Sequence, residues 1–200
     1  FIVVKLNKDQ TEDFLPKITY AFEESPWIPL YYLSKDQESL LSAKVGRNGK
    51  LALMIKGRGS FPGSVRWQSP YFKVKSGYGY KVVGWIKNTN ELTQETRDGF
   101  LRLDFYQKEV PVSTTARPIV SFVSERVYGE SGWHRVEIST VAPEVAEFAS
   151  IGFQADNPQI SFYLDSVEVL ETKKQPSAPE FRPTVIQDDD LFLPNNRGIL

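Results

Sequence analysis

The chain has 200 residues, with 24 lysines and arginines against 25 aspartates and glutamates, one histidine and no cysteine. A formal net charge of -1 supplies no field to steer it toward nucleic acid or an anionic membrane. Without cysteine there is no disulfide framework, thiolate zinc site or cysteine nucleophile, and no apolar run approaches the roughly 20 residues of a membrane-crossing helix.

The sequence starts at Phe1 rather than Met, so its N-terminus is expected to be processed or cut from a longer product, with any export signal outside it. Strand-like alternation rich in β-branched and aromatic residues then runs through "FIVVKL", "KLALMIKG", "GYKVVGWIKN", "FLRLDFYQ", "PIVSFVSERVY", "WHRVEIST", "ASIGFQA" and "SFYLDSVEVLE". Gly, Pro, Asn or Ser bounds each run, as turn chemistry requires. The stretch "SKDQESLLSAKVG" fits a helix capped by Ser34 or Asp36 and stopped by Gly46, or equally an edge strand with its loop. Short strands at this spacing predict an all-β sandwich or barrel over residues 1–172. Residues 173–200, rich in proline and acid, read as an extended C-terminal tail or linker, whose Leu191-Phe192-Leu193 suggests docking on a second domain.

Motifs for catalysis are lacking. There is no GxSxG, HExxH or phosphate loop, and His134 reads as a strand-surface residue. Asp104, Glu125, Glu137, Asp165 and Glu168 lie on predicted strands and could supply a glycosidase pair, but each has a plainer reading as an outward polar position. The aromatic residues are more informative, because a flat ring beside Arg, Asp or Gln holds sugars by CH–π contact and charge-assisted hydrogen bonds. Alternation sends Leu101, Leu103 and Phe105 inward and Arg102, Asp104 and Tyr106 to the opposite face. It likewise sends Trp85 outward from "YKVVGWIK".

The order of "AFEESPW", "GRNGKLALMIKG", "SPYFKVKSGYGYKVVGWIKN", "LRLDFYQ", "GESGWHRVEIST", "APEVAEFASIGF" and "ISFYLDSVEVLE" resembles carbohydrate-binding modules of the family 4, 9 and 22 type. The resemblance covers residues 16 to 171. It implies a galactose-binding-like jelly-roll β-sandwich of two antiparallel sheets and a non-catalytic role, targeting an attached glycoside hydrolase to polysaccharide. The partners so implied are a polysaccharide or oligosaccharide and a linked catalytic domain, with no nucleic acid and no membrane, in a secreted, cell-surface or periplasmic setting. A structural sandwich that packs on its catalytic partner without binding sugar is the alternative.

Two sugar sites are compatible with this resemblance. A concave-sheet site would use Arg102, Asp104, Tyr106 and Gln154 with Trp85 alongside; a loop-tip site would use Trp27, Trp67 and Arg66. The resemblance also implies a structural calcium held by Glu23, Asp165 and main-chain oxygens around Asn48 to Lys50. Ser166 stands where the family usually has a further acid, and Asp165 hydrogen-bonded to a neighbouring loop is the other reading.

Overall fold

The computed structural model describes residues 15–20, 22, 27–31, 41–47, 51–56, 64–88, 99–109, 116–127, 132–156 and 161–173. Among them are twelve strands. They run as β1 (Leu15–Tyr20), β2 (Ile28–Tyr31), β3 (Leu41–Val45), β4 (Leu51–Ile55), β5 (Ser64–Gln68), β6 (Phe72–Lys73), β7 (Gly79–Asn88), β8 (Gly99–Tyr106), β9 (Val120–Val123), β10 (Gly132–Val141), β11 (Phe148–Asp156) and β12 (Phe162–Thr172). "FIVVKL" and the tail beyond Lys173 lie outside the described residues. The ambiguous 34–46 segment resolves in its second half as β3, an edge strand.

Among the described residues all strand pairings are antiparallel and form two sheets. One has the order β10-β7-β12-β4-β3, with β1 also on β12; the other has the order β2-β5-β11-β8-β9, with β6 also on β11. This is a jelly-roll β-sandwich, as expected.

Alternation builds its core. Tyr80, Val82 and Ile86 of β7 and Phe162, Leu164, Val167 and Val169 of β12 meet Leu101, Leu103 and Phe105 of β8 and Ala149, Ile151, Phe153 and Ala155 of β11. Each fully buried Leu, Ile, Val or Phe contributes about 1.5–3 kcal/mol through removal of apolar surface from water.

β12 keeps its apolar residues inward only by slipping once. Between Asp165 and Glu168 its register with β7 shifts by one residue, so Ser166 and Val167 together face Gly84, a β-bulge. Ser166 takes a positive φ of 55° there. The extra residue lets Leu164, Val167 and Val169 all point into the core and leaves Asp165 on the outer face.

Candidate functional site

The outer face of the second sheet carries a polar field set out by strand register. Its central row runs Ile28, Gln68, Gly152, Arg102 and Val123, each paired with the next across neighbouring strands. On one side lies the row Ser150, Asp104 and Ser121; on the other, Leu30, Arg66, Gln154 and Phe100.

Asp104 is the hub. Its Oδ1 accepts a hydrogen bond from Arg102 Nε at 2.5 Å and its Oδ2 accepts one from Arg66 Nη1 at 3.2 Å. Arg102 Nη2 also donates to Ser121 Oγ at 2.9 Å. Arg66 reaches the acid because Gly152 lacks a side chain: a Cβ at that position would lie 2.8 Å from Arg66 Cδ. Ion pairing and hydrogen bonding compensate the desolvation of these charges, which are 0–4% exposed.

Tyr106 and Tyr71 close one end of the field. Their rings meet edge-to-face, with centroids 5.0 Å apart, and Tyr106 Oη donates to Asp104 Oδ2 at 3.5 Å. Burial, then the Asp104 charge, pushes the Tyr106 phenol above its ordinary value, and burial raises Tyr71. Both stay protonated donors at neutral pH. At the other end Asp156 Oδ1 accepts from Ser64 Oγ at 2.7 Å and Gln154 Nε2 at 2.8 Å, and the Arg126 guanidinium lies 4.4 Å from the Phe100 ring centroid.

Gln68 Nε2 donates to Ser150 Oγ, as Gln154 Nε2 does to Asp156. The amide oxygens of both glutamines are buried without a hydrogen-bond partner. An unpaired buried acceptor costs about 1–3 kcal/mol, and both oxygens are closed off from the surface.

Of the expected concave-sheet residues, Arg102, Asp104, Tyr106 and Gln154 are thus brought together on one face. Trp85 is not among them. It lies on β7 of the opposite sheet, half-buried, with the Arg47 guanidinium stacked 3.7 Å from its ring centroid. Alternation tells inward from outward but does not say on which sheet a strand lies, so the expectation of Trp85 beside the triplet is corrected.

The loop-tip group also separates. Trp27 is 6% exposed, edge-on to Tyr20 and Phe22 in the core. Trp67 faces between the sheets, where its Nε1 donates to the Met54 carbonyl at 3.1 Å. Arg66, its neighbour, points the other way and joins the Asp104 cluster. Gln68, Ser121, Ser150 and Tyr71 belong to the same face, a grouping that depends on cross-strand register rather than on any local motif.

The carboxylates of the catalytic reading occupy different surroundings. Asp104 lies between two arginines. Burial alone would raise the Glu137 carboxyl, but Arg135 and Lys81 outweigh it and hold the group below the usual range.

At the expected calcium site Glu23, Asn48 and Lys50 lie outside the described residues. Among those described, no group of three or more His, Cys, Asp or Glu stands together to hold a metal. Asp165 Oδ2 accepts the Arg47 backbone N–H at 2.6 Å and Oδ1 accepts Ser166 Oγ at 2.7 Å. Calcium takes six to eight oxygen ligands; of the expected set only Asp165 is among the described residues, and each of its oxygens meets a donor.

No protein-family model matches the sequence, and no curated protein matches it. Solved structures do. The family 22 carbohydrate-binding and catalytic modules of Clostridium thermocellum xylanase 10B, complexed with xylohexaose, align at TM-score 0.50 and 19% identity, over 76% of this chain and 28% of that one. These likenesses show a shared fold. The chain shares a β-sandwich fold with the carbohydrate-binding part of that xylanase. An arabinose-bound α-L-arabinofuranosidase, MgGH51, aligns at TM-score 0.53 and 12% identity, over 80% of this chain and 25% of that one. A family 22 xylan-binding domain from Paenibacillus barcinonensis Xyn10C aligns at 0.47 and 12%, over 82% and 97%. The chain spans about a quarter of the length of the first two.

Proposed function

We propose that this sandwich is a non-catalytic carbohydrate-binding module that holds an attached glycoside hydrolase on polysaccharide, in a secreted, cell-surface or periplasmic setting. The supporting observation is the polar outer face of the second sheet. There Arg66, Arg102, Asp104 and Tyr106 are locked in place by one another. Donors and acceptors preorganised in this way suit a ligand bearing many hydroxyls, because ordering them costs nothing at the moment of binding. Binding modules of this kind raise the local concentration of a linked enzyme on its substrate. Xylohexaose is present with the Clostridium thermocellum modules, so xylan heads the panel of glycans to test.

The test is affinity-gel electrophoresis of the whole chain through xylan, β-glucan, galactan and mannan. Retardation by one glycan that disappears in Tyr106→Ala is the expected result. Unchanged mobility in every gel would overturn the reading.

One observation favours a second reading. The charged cluster is almost fully buried, 0–4% exposed, as in a polar network that fixes a fold rather than meets a ligand. On that reading the sandwich packs against a catalytic domain without binding sugar, and every gel shows unaltered mobility while the fold remains intact.

A further inference from the structure

We propose that the Asp165 node is a metal-free clasp in which Arg47 does the work of a bridging cation. The turn after β3 approaches β12 so closely that a Cβ on Gly46 would lie 2.5 Å from Asp165 Oδ2. Glycine at this position lets the backbone in, and the next N–H, that of Arg47, meets the carboxylate at 2.6 Å. A backbone N–H aimed at an ionised oxygen is a charge-assisted hydrogen bond, about twice as strong as a neutral one. It also places a proton in the sector through which an ion would reach Oδ2.

The other oxygen is occupied from within the bulge. Ser166 adopts the left-handed conformation, with φ 55°, which costs a non-glycine residue about 1–3 kcal/mol. That conformation comes with the 2.7 Å bond from its hydroxyl to Asp165 Oδ1. Where a second carboxylate would add ligand charge, serine supplies a donor.

Positive charge comes from the Arg47 side chain. Its guanidinium lies 3.7 Å from the centroid of the Trp85 ring, and Trp85 is the direct cross-strand partner of Asp165. Directly opposed residues have Cβ atoms about 4.5–5.5 Å apart, so the cation sits over the residue adjoining the acid. It sets a positive charge beside the strand position of the acid. One residue thereby ties the β3–β4 turn to β12 through its backbone and to β7 through its side chain.

The test is thermal unfolding of the whole chain in calcium chloride and in chelator, for the wild type, Asp165→Asn and Arg47→Ala. The clasp requires one wild-type Tm in both buffers. It requires Asp165→Asn to unfold several degrees lower in both, about 2–4 °C for each kcal/mol lost in a chain of this size. Arg47→Ala keeps the backbone N–H but bares Trp85, so a smaller drop with a shift in tryptophan emission is expected. A saturable rise of the wild-type Tm with calcium, reversed by chelator, would overturn the proposal, and this comparison stands even if Asp165→Asn fails to fold. Asp165→Asn with a wild-type Tm in both buffers would overturn it as well.

Discussion

Arg66 crosses the open backbone of Gly152 to reach Asp104, the acid that Arg102 grips from the other side. The three charges belong to two strands, β5 and β8, with β11 between them contributing only a missing side chain. A Cβ at Gly152 would be 2.8 Å from Arg66 Cδ, so Gly152→Ala is expected to push Arg66 off its partner. The loss expected is about 1–3 kcal/mol, typical of inserting a methyl into a packed site, read by urea denaturation. Glycan retention in the affinity gel should fall with it.

Asp104→Asn removes the charge that both arginines face. Breaking a buried ion pair from one side costs about 3–5 kcal/mol, because the opposite charge stays buried. The denaturation midpoint should drop accordingly at neutral pH; a variant as stable as the wild type would show that the arginines are satisfied without Asp104.

Tyr106→Phe keeps the ring against Tyr71 and removes the hydroxyl. Loss of the hydroxyl's bond to Asp104 costs about 0.5–1.5 kcal/mol, read as a lower urea midpoint, and glycan retention should weaken roughly 2- to 10-fold with it. Trp85→Ala, on the opposite sheet, should leave retention unaltered and lower the Tm. Equal loss of retention in both variants would place the ligand somewhere other than the face described.

Acid should loosen the seam between β1, β7 and β12. Glu171 Oε2 takes Lys17 Nζ at 2.6 Å and Tyr80 Oη at 2.8 Å. Burial would raise its carboxyl, but those partners and Lys75 win and hold it below the ordinary 4.5. A group depressed in the folded state stabilises above its unfolded value and loses that contribution as pH falls through the folded one. Wild-type stability should therefore decline below about pH 4.5 more steeply than that of Glu171→Gln, as measured by urea midpoints across a pH series.

Long alternating runs made much of this fold legible. "GYKVVGWIKN" coincides with β7 from end to end, and the inward and outward sets of β8 fall as its period of two requires. β5 escaped notice because "SVRWQ" is five residues with an arginine at its centre, closed by Ser69-Pro70. Arg66 was consequently placed with the loop-tip tryptophans, and Gln68 was not singled out. Their place beside Asp104 depends on register across β11, a non-local pairing that no short motif encodes. The bulge in β12 was equally silent: its left-handed residue is Ser166, not the glycine or asparagine that would announce it.

The pairing of Leu15 with Glu171 has a consequence for how the sandwich sits in a longer polypeptide. Antiparallel partners lie about 5 Å apart, so the start of β1 and the end of β12 lie side by side. A unit with adjoining ends can be spliced into a surface turn of a host protein as readily as strung between neighbours, and its removal would leave ends that rejoin with minimal displacement.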